Sequence, residues 1–116
     1  MEQVKATAIA KYIRTTAQKT RLVANEVRGK KVGEALNLLQ FTIQKQVSGD
    51  VEKVLKSAVA NLEDKYSNLN INAEDLVVET IKVDEGPVLK RFQPKAQGRA
   101  GKILKRMCHI SVTVSN

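Results

Sequence analysis

His109 and Cys108, the one histidine and the one cysteine of the chain, are adjacent in sequence. The segment around them alternates apolar and polar residues, so as a strand it turns the two side chains to opposite faces. A Cys–His dyad or a Ser–His–Asp triad needs its groups on one side, and a zinc site needs more such ligands than this chain holds. The pair reads as a buried cysteine beside a surface histidine. The acidic pairs Glu74–Asp75 and Asp84–Glu85 carry the charge to hold magnesium. They read more simply as solvated strand ends, and a metal-dependent nuclease built on them is the enzymatic alternative. Gly101–Lys102 has the form of a P-loop ending, but Ala96 stands where glycine is required and Ile103 where a hydroxyl must reach the metal. Gly98–Arg99–Ala100–Gly101 fits the GxxG loop of KH modules, a short pattern that requires helices on both sides. With two Phe, two Tyr and no Trp, the chain lacks the aromatic surface of an RRM. Backbone recognition by cations is the chemistry that remains.

The cations are arranged for it. Residues 1–31 hold eight Lys or Arg against Glu2 and Glu26, residues 32–85 hold five against ten acids, and residues 86–116 hold seven against none. Two basic blocks flank a mildly acidic middle, whereas a chain that is merely soluble intersperses its signs. Two surfaces suited to a polyanion follow. From the first block come Lys11, Arg14, Gln18, Lys19, Arg21, Arg28, Lys30 and Lys31; from the second come Lys90, Arg91, Lys95, Arg99, Lys102, Lys105 and Arg106, with His109 beside them. Arginine can hold phosphate in a fork, and lysine acts as a mobile point charge. Pro, Gly, Ala and Gln interleave the second block and keep its backbone slim.

Residues 3–13 alternate small or β-branched apolar residues with polar ones, as a half-buried strand does. Thr15 and Gln18 have capping-box spacing; Ala17, Thr20, Ala24 and Val27 fall at helical intervals, and Gly29 sits where a left-handed cap belongs. A helix over about 16–28 follows, with Arg14, Gln18, Arg21, Asn25 and Arg28 on one face that can lie along a phosphate backbone. Val32, Ala35, Leu36, Leu39 and Ile43 mark a second helix. Ser48 offers an N-cap to a third, whose wide apolar face runs from Val51 to Tyr66. Residues 67–74 are turn chemistry.

From residue 76 the period becomes 2, with Val77, Glu79, Ile81 and Val83 against Leu76, Val78, Thr80 and Lys82. It returns at Ile110, Val112 and Val114. Between these strands, Asp84–Lys105 is basic and punctuated by Gly86–Pro87, Pro94, Gly98 and Gly101. So long a connection is either disordered or an extended hairpin. As a hairpin with about ten residues per arm it reaches about 30 Å, carries few apolar residues to pack on itself, and needs a partner to be stable. The length fits one domain, 1–116. No apolar run approaches a membrane span and no signal-peptide core opens the chain, so the expectation is a soluble protein of a reducing compartment.

Arg28-Gly29-Lys30-Lys31-Val32, Val83-Asp84-Glu85-Gly86-Pro87 before Lys90-Arg91, Pro94 to Ala100, and Lys105-Arg106-Met107-Cys108-His109-Ile110 together resemble the large-ribosomal-subunit protein twenty-two family, in register over nearly the whole chain. The resemblance implies an α+β fold with three helices packed on a small antiparallel three-stranded sheet and a long protruding β-hairpin. The body would be about 1–83 and 106–116, the basic hairpin about 84–105. It implies a structural constituent of the large ribosomal subunit that binds its rRNA, aids folding and assembly, and lines the nascent-peptide exit tunnel with Lys90, Arg91, Phe92, Gln93, Pro94, Lys95, Ala96, Gln97, Gly98 and Arg99. Partners would be rRNA, neighbouring ribosomal proteins and the nascent peptide, on a cytoplasmic or organellar ribosome. No catalysis, cofactor, metal, membrane or small-molecule substrate is implied. Lys95 replaces the arginine common in the family, and Gly101 replaces a larger residue.

Overall fold

The computed structural model describes residues 4–42, 45–67, 75–94 and 100–116, with side chains outside 45, 91–94 and 100–103. The elements in order are β1 (Lys5–Ile13), α1 (Ala17–Val27), α2 (Val32–Gln40), α3 (Lys45–Lys65), β2 (Val77–Pro94) and β3 (Ala100–Ser115). β3 lies between β1 and β2, antiparallel to both. The expected α+β architecture, three helices and a three-stranded antiparallel sheet, is present.

Strand alternation sorts the sheet into two faces. Ala6, Ala8, Val78, Ile81, Val83, Cys108, Ile110, Val112 and Val114 are buried, and Val51, Val54, Leu55, Ala58 and Leu62 of α3 share the same core. The opposite face is polar, with Thr7 and Thr113 hydroxyls 2.9 Å apart and a 3.0 Å ion pair between Lys5 and Glu79.

Helix ends differ in detail from the spacing. The N-cap of α1 is Thr16, whose hydroxyl accepts from the Lys19 N–H at 3.5 Å. Thr15 is drawn instead to the core, where its hydroxyl lies 2.9 Å from that of Thr20 and 3.2 Å from Cys108 Sγ. Ser48 is not a cap. It lies inside α3, which begins at Lys45, and is buried because it falls on the stripe of Val47, Val51 and Leu55. Gly29 has φ +79°, the left-handed backbone expected there. Ile43, residues 68–74 and the tip from Lys95 to Arg99 lie outside the described residues.

Three register shifts reshape the strands. One falls between Val78 and Thr80, so Val78 and Ile81 both face inward although simple alternation separates them. The others, between Ala10 and Ile13 in β1 and between Glu85 and Val88 in β2, flank Cys108 and Arg106 of the central strand. β1 ends there. From Val88↔Arg106 outward to Pro94↔Ala100 the ribbon is two-stranded. Val88 is 44% exposed and Leu104 42%, so these apolar side chains are not folded against the core. The molecule measures 67 × 25 × 16 Å with a radius of gyration of 17.4 Å, against about 13 Å for a compact chain of this length.

Candidate nucleic-acid interface

α1 lies beside β2 and is fastened to it by its own arginines. Arg21 donates through Nε and Nη2 to the Val83 carbonyl at 3.2 and 3.0 Å, and Arg28 donates to the Ile81 carbonyl at 2.8 Å and to Asn25 Oδ1 at 2.6 Å. Nearer the start of β2, Gly29 N–H donates to the Val78 carbonyl and Val78 N–H to that of Lys30, and Lys31 forms a bridge with Val77. The outer edge of β2 is thereby covered between Val77 and Val83, which removes groups there that would be open to stray pairing. The spacing puts Arg14, Gln18, Arg21, Asn25 and Arg28 on one helical face, but α1 begins at Ala17, so Arg14 precedes the helix, and it is Arg21 and Arg28, the latter also bonded to Asn25, that meet β2. The spacing could not reveal that two of the arginines address carbonyls of the sheet, since that depends on which strand edge lies opposite.

Four other cations converge on the root of the ribbon. A groove there is lined by Arg14, Thr15, Thr16, Lys19, Gln46, Val47, Lys105 and Arg106. A second groove shares Thr16, Lys19 and Arg106 and continues along Gln18, Leu22, Glu85, Gly86 and Val88. Both open at the N-terminus of α1, whose first turn contains no acidic residue. In the first groove, whose lining holds no carboxylate, the helix dipole and the cations act with one sign on the same space; in the second, Glu85 opposes them. Lys11, Arg14, Gln18, Lys19, Lys30, Lys31, Lys90, Lys105 and Arg106 are all exposed. Lys30 and Lys31 sit at the far end of α1, apart from the groove.

Arg91 and Lys102 belong to paired stretches of β2 and β3, as do the tip residues Phe92, Gln93 and Pro94; their side chains lie outside the described residues. Lys95, Ala96, Gln97, Gly98 and Arg99 lie outside them altogether.

Cys108 and His109 face opposite sides. Cys108 is fully buried against Thr15 and Thr20, while His109 Nδ1 accepts the Tyr12 N–H at 3.0 Å. This acceptor role assigns the proton of a neutral ring to Nε2. Asp84 and Glu85 are exposed neighbours opposite His109 and Cys108 in the ladder, and among the described residues no three His, Cys, Asp or Glu gather as a metal site. The KH alternative fails on local structure, because β2 runs up to Pro94 and β3 begins at Ala100 where that module needs helices.

The profile of the family described as Ribosomal protein L22p/L17e matches residues 8–115. The chain belongs to that family. Among curated relatives, large ribosomal subunit protein uL22 of Heliobacterium modesticaldum (strain ATCC 51547 / Ice1) is 51% identical over 115 residues, covering 99% of this chain and 79% of the relative. In this L22p/L17e member, every cation of the two basic blocks except Lys5 falls within the matched region.

Proposed function

We propose that the chain is a structural constituent of the large ribosomal subunit that binds its rRNA, aids rRNA folding and assembly, and lays the β2–β3 ribbon along the nascent-peptide exit tunnel. The observation that carries this is the meeting of Arg14, Lys19, Lys105 and Arg106 at the acid-free N-terminus of α1, where the two-stranded ribbon leaves the three-stranded sheet. Cations from both ends of the sequence meet at one cationic surface, and neutralising phosphates there lets RNA segments that repel one another pack together. Exposed Val88 and Leu104 on the ribbon support a segment that gains its missing contacts from surrounding RNA, folding and binding together.

The chain then divides into a body, about 1–83 and 106–116, and a basic hairpin, about 84–105. Its partners are large-subunit rRNA, neighbouring ribosomal proteins and the nascent peptide, and it performs no catalysis. Full-length protein co-sediments with large subunits and stays bound through a moderate salt wash. Shortening the ribbon around Lys90–Arg91 leaves incorporation intact while changing nascent-peptide stalling. Loss of assembly in the shortened chain would contradict the division between body and hairpin, and a chain absent from large subunits would contradict the function.

A further inference from the structure

At the root of the ribbon, the polar face of the sheet carries a tyrosine in a costly conformation. The inward residues at the start of the chain are Val4, Ala6 and Ala8, and unbroken alternation takes Tyr12 inward and Ile13 outward. The extra residue between Ala10 and Ile13 reverses the phase. Ile13 packs against the core, and Tyr12 stands 60% exposed. Burying an aromatic ring is favourable, so the bulge forgoes stabilisation by turning this one out. It also places Tyr12 at φ +60°, a region that bulky residues occupy only when their surroundings hold them there.

His109 does the holding. Its Nδ1 accepts the Tyr12 N–H at 3.0 Å, and the two rings meet edge to face with centroids 5.0 Å apart at 89°. Exposed Ile9 lies on the same face of β1, and exposed Lys11 and Arg14 flank Tyr12 along the chain. An outward ring of fixed orientation between cations is what an unstacked nucleobase and its adjoining phosphates require.

We propose that Tyr12, oriented by His109, is a stacking platform for one unpaired base of the bound RNA. The platform presupposes the rRNA binding proposed above and adds a base contact to a surface otherwise made for backbone. Tyr12→Asn removes the ring while supplying a residue that tolerates left-handed φ; Tyr12→Phe keeps the ring. With in vitro transcribed large-subunit rRNA as probe, Tyr12→Phe binds like the unsubstituted chain and Tyr12→Asn about ten-fold more weakly. All three share one slope of log affinity against log salt, because a stacked base releases no counterions. Tyr12→Asn binding as tightly as the unsubstituted chain, or more weakly with a shallower slope, overturns the platform.

A second measurement does not depend on how Tyr12→Asn folds. The chain has two tyrosines and no tryptophan, so Tyr66→Phe leaves Tyr12 as the sole tyrosine emitter. Its emission, corrected for RNA absorption, falls as rRNA saturates the protein; unchanged emission at saturation overturns the platform. Failure of the unsubstituted chain to bind rRNA would instead strike the proposed function itself.

Discussion

Arg21 and Arg28 hold two positions at once, on the cationic flank of α1 and against the carbonyls of β2. Lys19 lies on the same helix but lines the grooves at the ribbon's root. These placements separate fastening from phosphate contact. Arg21→Ala lowers stability by about 1 kcal/mol, the net value of a typical hydrogen bond, and weakens RNA binding as well. Arg21→Lys does not restore the forked contact to Val83. Lys19→Ala leaves the denaturation midpoint unchanged and weakens RNA binding alone. Chemical denaturation beside filter binding distinguishes the two, and equal midpoints for Arg21→Ala and Lys19→Ala would contradict the fastening role. Residue types and helical spacing made the cationic flank legible in the sequence. The second partner of each arginine was not, because a carbonyl acceptor leaves no mark on the side-chain pattern. Tyr12 was hidden for a related reason: the phase reversal that exposes it depends on the register against β3.

At the scale of elements, the change from a 3.6-residue to a 2-residue period marked the order of helices and strands. Local exceptions came from tertiary packing. Ser48 has the type of a cap but lies on the buried stripe of α3, and Val77 and Val78 are chemically identical, so the sequence cannot say which the bulge at Glu79 turns inward. The bulge between Glu85 and Val88 is built on Gly86, where an added Cβ meets His109 Nε2 and the Met107 carbonyl carbon and oxygen, each at 3.3 Å. Backbone cannot withdraw as a flexible side chain can. Gly86→Val therefore destabilises the fold by about 1–3 kcal/mol, the usual cost of forcing volume into a packed site. It also shifts the His109 ring resonances. A denaturation midpoint equal to that of the unsubstituted chain would show that the root of the ribbon tolerates the volume and is not closely packed around Gly86.

The whole molecule is long for its mass, 67 Å in its greatest extent. Residues 1–31 and 86–116 supply the positive blocks, and the sheet joins them, because β1 pairs with β3. Sequence arithmetic revealed two blocks; the antiparallel pairing that unites them at one surface is a long-range property absent from any local window. Such a surface binds RNA chiefly by releasing condensed counterions, each neutralised phosphate contributing about 0.7 to 0.9 to the slope of log affinity against log salt. The decisive measurement is therefore the affinity of the full-length chain for large-subunit rRNA across a salt series. Four cations at the ribbon's root predict a slope of about −3 or steeper, made shallower by replacing Arg14, Lys19, Lys105 and Arg106 with alanine. An affinity that stays level across the series, or a slope untouched by those four replacements, would contradict the account.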